Sequence, residues 1–362
     1  MNTPSSLHPV RWTLTLLIGV PALLVVICFV AWMTRQHEAA RAGLRLFRYV
    51  IAAECAFLLI AAAWGAIYEY RSARRDRATY QPAGRLIDIG GYRLHLHCSG
   101  AGGQTVVLEH GLSGSYLDWR KVQPEAAQFT RVCSYDRAGY GWSDPSPRAR
   151  VPSIMAEELR TLLKNAGENP PFILVGHSMA AFDVITFAHR YPDEVSGLVL
   201  VDGSHPDERL RFSWRAKVWL RIVQLTLPFG LPRWRHWCAS GAEEIRGFKA
   251  AMQCRGRVFR TEYQERSGFA AAAAEVGKLG TLGELPLIVI SRDPERAEDR
   301  SSSGAEQHWT ELQRDLARLS SNATHVVASG SGHGISLQRP EVVVDAIRKL
   351  ARETAANASG SR

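Results

Sequence analysis

Residues Phe172 to Pro192, FILVGHSMAAFDVITFAHRYP, constrain this chain more than any other stretch. The apolar run Phe172–Val175 reads as a buried strand, and Ala180–His189 reads as the helix after it. Gly176-His177-Ser178-Met179-Ala180 joins the two and puts a serine on a sharp strand-to-helix turn. A serine hydroxyl is a weak nucleophile unless it is held exposed beside a base and backbone N–H groups. Such a turn pushes the side chain out of the sheet and aims the helix N-terminus at a developing oxyanion. The turn is tight, so the positions two before and two after the serine must be small. Gly176 satisfies this, and Ala180 does so with one methyl group where a second glycine is usual.

The rest of the soluble chain supplies a sheet for that turn. Arg85–Ile89 and Tyr92–Cys98 flank Gly90-Gly91, a hairpin signal. Strands are predicted at Thr105–Glu109, Thr130–Tyr135, Leu198–Val201, Pro286–Ile290 and His325–Ala328, with helices at Ile154–Ala166 and about Pro340–Arg352. Alternating strands and helices imply an α/β fold with a mostly parallel sheet, helices on both faces and a hairpin at its start. Between Val201 and Pro286 the alternation stops, and insertions that long usually carry function.

The serine needs a base. His333 stands in Ser329-Gly330-Ser331-Gly332-His333-Gly334, a glycine-rich loop straight after the last strand. Loops at the carboxyl ends of parallel strands are where such a sheet assembles a site, and a neutral imidazole can take a proton near pH 7. The base needs an ionised carboxylate, and two strand ends offer one: Asp202 in Val201-Asp202-Gly203 and Asp293 in Ser291-Arg292-Asp293-Pro294. Both can reach a histidine at the top of the sheet; a strand-end cap and a surface salt bridge are their plain structural alternatives. The oxyanion needs two N–H donors, expected from Met179 and from Leu112 in the His110–Gly114 loop. His110 is expected to fix that loop with its ring.

Ahead of the sheet lie two apolar segments. Trp12–Met33 carries no charge and is long enough to span a bilayer; Tyr49–Tyr68 is interrupted only by Glu54 and is expected to be a second span. Arg35, Arg41, Arg45 and Arg48 lie in the loop between them, and Arg71, Arg74, Arg75 and Arg77 follow the second, so the positive-inside rule gives no orientation. The net charge of +9 suits anionic lipid as well as a solvated basic surface, and no nucleic-acid motif is present. Of the 6 cysteines, Cys98, Cys133, Cys238 and Cys254 lie outside the apolar segments and none has metal-ligand spacing. Cys98 with Cys133, and Cys238 with Cys254, can form disulfides or remain buried thiols. The disulfide alternative leans the soluble part towards an extracytoplasmic side.

Four motifs in order resemble the α/β-hydrolase superfamily over about Arg85–Glu353. They are His110-Gly111 after the third strand, Asp136-Arg137-Ala138-Gly139-Tyr140-Gly141-Trp142-Ser143 after the fourth, the Gly176–Ala180 elbow, and Ser331-Gly332-His333 after the last. The resemblance implies Ser178 as nucleophile, His333 as general base, and Leu112 and Met179 as oxyanion donors. The family's acid usually follows the seventh strand, which favours Asp293, whose spacing from Pro286 is about one residue short. Relatives such as certain haloalkane dehalogenases take it from the end of the sixth, which Asp202 matches. Asp202 is therefore preferred, with Asp293 the alternative. Epoxide hydrolases and haloalkane dehalogenases of this fold carry aspartate at the elbow, so a serine there implies acyl transfer without cofactor or metal. The insertion resembles the family's cap; its Trp214, Trp219, Trp234 and Trp237, interleaved with arginines, read either as an interfacial lid or as a packed helical cap.

The expectation is an integral membrane serine hydrolase that cleaves a carboxylic ester, with a lipid or other apolar acyl group among the candidates. A peptidase, amidase or perhydrolase on the same residues, or a silent membrane interaction module, are the alternatives. The expected division is an anchor over 1–80 with spans near 12–33 and 49–68, a core over 81–204 and 285–354, a cap over 205–284, and a disordered tail over 355–362.

Overall fold

A computed structural model describes residues 37–208, 212–239, 243–296 and 303–360, together with Val25 and Cys28. The expected first span, Trp12–Met33, lies outside the described residues apart from those two. By contacts the chain divides into a unit ending at Tyr70 and a unit from Arg71 onwards.

The first unit contains most of helix α1, His37–Thr79. Arg41, Arg45 and Arg48, expected in a connecting loop, are helical residues here. Arginine and its Ala and Leu neighbours are good helix formers, and nothing in the stretch breaks the helix. Gly43–Thr79 is long and apolar enough to cross a membrane.

The second unit is built on an eight-stranded sheet in the order β1-β2-β4-β3-β5-β6-β7-β8. The strands are β1 Arg85–Asp88, β2 Arg93–Ser99, β3 Val106–Glu109, β4 Val132–Asp136, β5 Phe172–His177, β6 Val195–Val201, β7 Leu287–Arg292 and β8 Ala323–Ala328. β2 runs antiparallel to both β1 and β4, and every other pairing is parallel. The central strands are apolar on both faces because helices cover both. Leu174, Leu198, Leu200 and Val289 pack on one side, while Ile173, Val175, Val199 and Ile290 pack on the other. Each such side chain, fully buried, contributes about 1.5–3 kcal/mol.

Helices α2 Pro152–Ala166 and α3 Ala180–Arg190 flank the sheet. Pro152 opens α2, where its missing N–H costs nothing, and Gly167 ends it in the left-handed conformation at φ 79°. Between β6 and β7 stand α4 Trp214–Thr226, α5 Glu243–Gln253 and α6 Gly256–Val276, where the sequence indicated a cap. These have a small core of their own that includes Leu220, Val223, Leu227 and Phe259. Helix α7, Ser303–Ala317, precedes β8. Helix α8 runs Pro340–Gly360, past the start of the expected disordered tail at Ala355. Ala355, Ala356 and Ala358 are strong helix formers, which extends the helix towards the terminal Gly-Ser.

Both cysteine pairs are disulfides. Cys98 and Cys133 face each other in the β2–β4 register and are bonded. Cys238–Cys254 closes a short loop inside the cap core.

Candidate active site

The site lies at the carboxyl ends of β5, β6 and β8. Ser178 sits in the turn between β5 and α3 with φ 55°, the left-handed region that an ordinary side chain enters only when the surroundings impose it. The surroundings do so: Ser178 N–H donates to the Val201 carbonyl at 3.0 Å, and the Ser178 carbonyl accepts from Ser204 N–H at 2.9 Å. The demand for a small residue at Gly176 is steric. A Cβ there would lie 2.9 Å from the Ala180 carbonyl oxygen and from a Val184 methyl.

His333 Nε2 lies 3.0 Å from Ser178 Oγ, and His333 Nδ1 lies 2.5 Å from Asp202 Oδ2. Ser178, His333 and Asp202 thus form one hydrogen-bonded chain from three loops. Asp202 is fully buried at the end of β6. Its Oδ1 accepts from Trp309 Nε1–H at 2.8 Å and Arg292 N–H at 3.1 Å, and Oδ2 also accepts from Arg292 Nη1–H at 3.1 Å. Burial pushes its pKa up, but the contact with His333, the Arg292 guanidinium and the Trp309 N–H together hold it below the ordinary carboxylate value. That keeps the carboxylate ionised where it meets the imidazole.

Asp293 is not brought into this chain. Its Oδ2 accepts from Gly330 N–H at 2.7 Å and its Oδ1 from Glu295 N–H at 2.9 Å, while its own N–H donates to the Ser331 carbonyl. It fastens the loop that carries His333, and those backbone donors lower its pKa.

The His110–Gly114 loop lies directly against the serine turn. A Cβ on Gly111 would fall 3.0 Å from Ser178 Cβ and from His177 Nδ1, so a side chain there would push on the serine turn. Among the described residues, neither Leu112 N–H nor Met179 N–H donates to a protein acceptor.

The ring of His110 does fix its loop. Nδ1 lies 2.7 Å from the Gly111 carbonyl, and Nε2 accepts from Arg137 N–H at 3.2 Å. Burial and the nearby Arg137 charge lower its pKa to about 3, so the ring is neutral with its proton on Nδ1. His177 Nε2 lies 3.0 Å from the His333 carbonyl, and the two rings are 4.7 Å apart. Burial and His333 lower the His177 pKa to about 4, which makes that ring a neutral donor to the His333 loop.

Sequence reasoning did not find the buried ionic cluster behind the loop. Arg137 is 1% exposed; it donates to the carbonyls of His110 and Gly111 and pairs with Glu265 of α6 at 2.9 Å. Glu109 and Asp183 lie within 3.6 and 3.9 Å of the same guanidinium. Burial raises the pKa of both carboxyl groups, helped by the Glu265 charge at Glu109 and by the Glu109 charge at Asp183. One signal was present: Asp183 is the one charged residue in the run AAFDVITFA. Asp202's partners Arg292 and Trp309 left no such signal.

Comparisons with known proteins agree with the fold. A model described as "Alpha/beta hydrolase family" matches residues 106–346. The uncharacterized protein YqjL of Bacillus subtilis is 27% identical over 72% of this chain and 88% of its own length. For YbdG of the same organism, 23% identical over 46% of this chain, the match spans about half (52%) of the relative's length. A solved structure of a thermophilic esterase from Thermogutta terrifontis superposes with a TM-score of 0.51 at 24% identity, over 75% of this chain and 99% of that one.

Proposed function

The chain belongs to the alpha/beta hydrolase family, and within it we propose a membrane-anchored serine hydrolase that cleaves a carboxylic ester through an acyl-serine intermediate. The observation that carries this reading is the hydrogen-bonded chain from Asp202 through His333 to Ser178. Ser178 Oγ attacks the ester carbonyl carbon while its proton passes to His333 Nε2. The imidazolium is stabilised by Asp202, and the tetrahedral oxyanion by the N–H groups of Met179 and Leu112. Collapse of the intermediate breaks the bond to the alkoxide, which leaves as the alcohol with the proton from Nε2. Water then attacks the acyl-serine by the same route, releasing the carboxylic acid and restoring Ser178.

An apolar setting for the substrate is supported by the cap. Trp214, Val218, Ile222 and Leu225 of α4 follow one another at helical spacing, and all are exposed; Trp214 is 73% and Leu225 71% accessible. Arg215, Lys217 and Arg221 flank this stripe, the pattern of a helix that lies in a lipid interface. The Gly43–Thr79 helix supports anchoring of the same chain.

The test is labelling of the full-length protein by a fluorophosphonate, followed by turnover of esters with short and long acyl chains. Labelling is expected in the wild type and in Asp293→Asn, and to disappear in Ser178→Ala and His333→Ala. A folded wild type that neither labels nor turns over any ester would sink this reading and favour a membrane interaction module.

A further inference from the structure

A cavity of about 420 Å³ is lined by Arg77, Arg233, Arg255, Arg257, Asp76 and Gly256. That volume falls in the range of small-molecule sites, about 300–1,000 Å³. Four guanidinium groups thus face one carboxylate, and Asp76 is already paired with Arg233 at 2.6 Å. Arg255 and Arg257 are hydrogen-bonded to carbonyls, of Ala251 and Gly141, and to no carboxylate among the described residues. Arg257 Nε is buried without a hydrogen-bond partner. Burial together with the neighbouring Arg257, Arg77 and Arg233 lowers the Arg255 pKa to about 10, a sign of cations crowded without their counter-charge.

The backbone adds to this. Gly256 is the first residue of the 21-residue α6, so the positive end of that helix points at the cavity. Arg255 is held over the Trp142 ring at 4.9 Å, and Cys254, which lines the same cavity, is tied to Cys238. The cations are therefore arranged before any ligand arrives, which lowers the ordering cost of binding. We propose that this cavity binds a phosphate group, held by the arginine cluster and the α6 N-terminus. Planar guanidinium groups match phosphate oxygens two at a time.

Two sources offer that chemistry, a phospholipid headgroup and a free phosphate or phosphate ester. Arg77 lies on the same helix as the apolar run that ends at Tyr68, which makes a headgroup the first source to test. The site is independent of the ester reading, since none of its residues belongs to the Ser178 chain.

The experiment uses the full-length protein in a nonionic detergent, titrated with inorganic phosphate, with short-chain phosphatidylglycerol and with short-chain phosphatidylcholine. Calorimetry and the unfolding midpoint are the readouts. Saturable binding of phosphate or phosphatidylglycerol is expected, weakened about tenfold or more by Arg255→Gln/Arg257→Gln and by Arg77→Gln. Arg215→Gln on α4, outside the cavity, should bind as the wild type does. Phosphatidylglycerol binding well above inorganic phosphate identifies a headgroup site; equal binding identifies a site for the phosphate group alone. The proposal is overturned if neither anion binds saturably, if the cavity variants bind like the wild type, or if Arg215→Gln weakens binding as much as they do. Should the double variant fail to fold, Arg77→Gln, on an exposed helix end, decides the matter.

Discussion

The sheet and the cap treat their apolar side chains in opposite ways. Along β5, Phe172, Ile173, Leu174 and Val175 are all buried, each between the sheet and a covering helix. Along α4, Trp214, Val218, Ile222 and Leu225 are exposed, and only Leu220 and Val223 reach the small cap core. The apolar residues of the sheet hold the fold, whereas those of α4 contribute little to it. In the proposed function they meet an apolar substrate or a lipid phase. The charges show the same division. Arg137 is enclosed by three carboxylates beneath the serine turn, while the arginines at the head of α6 crowd together with a single carboxylate among them.

This contrast predicts a graded set of outcomes. The largest effect belongs to the hydrogen-bonded chain at the sheet's edge. Ser178→Ala and His333→Ala should each lower kcat for an ester by a factor on the order of 10⁵–10⁶, and Asp202→Asn by about 10⁴. Asp293→Asn, which loosens only the loop, should cost less than about tenfold in the same assay. Equal losses for the two aspartate variants would show that the acid has been misassigned.

Next comes Arg137→Met, which removes the guanidinium shared by Glu109, Asp183 and Glu265 and leaves Glu265 only Arg150, at 3.7 Å. It should destabilise the soluble unit by about 3–5 kcal/mol in denaturant unfolding. Leu174→Ala, at the centre of the sheet, should cost about 2–5 kcal/mol. The matching change on the cap, Leu225→Ser, should stay within about 0.5 kcal/mol. If Leu225→Ser proves as damaging as Leu174→Ala, α4 is part of the core and the contrast fails.

Acid sensitivity is the smaller, sharper test. His110 titrates near 6.5 when unfolded and near 3 when folded, so between those values the unfolded chain binds more protons. Stability from this group is complete above pH 6.5 and declines as the pH falls towards 3, by up to about 1.4 kcal/mol per pH unit. The cause is burial of the ring, reinforced by the Arg137 charge, and protonation would also turn Nε2 into a donor facing the Arg137 N–H. A His110→Gln variant should show a flatter loss of stability in urea melts between pH 6 and pH 4; an unchanged slope would remove His110 from the account.

The sheet and the serine turn were legible because their constraints are local. Gly176 must be small since the Ala180 carbonyl passes beside it, and β5 must be apolar since both its faces are covered. The residues alone left both aspartates open, because both stand at the carboxyl ends of neighbouring strands, and only the family resemblance preferred Asp202. What distinguishes them is direction: Asp202 turns inward at φ 45° to meet Trp309 and Arg292, and Asp293 turns back onto its own loop. The Arg137 cluster and the arginine cavity both join residues distant in the chain, Glu109 with Glu265 and Arg77 with Arg257. Long-range pairing of charges leaves no periodicity to read.

The order of the strands also sets the timing of competence. Ser178 leaves the ribosome 155 residues ahead of His333, which at about 5–20 residues per second is roughly 8–30 s of synthesis. Through that interval the nucleophile turn can form while its base has yet to be made, so a nascent chain carries a serine that cannot attack. The apolar α1 has meanwhile been synthesised long before. Under the proposed function, the chain thus reaches its membrane before it is armed.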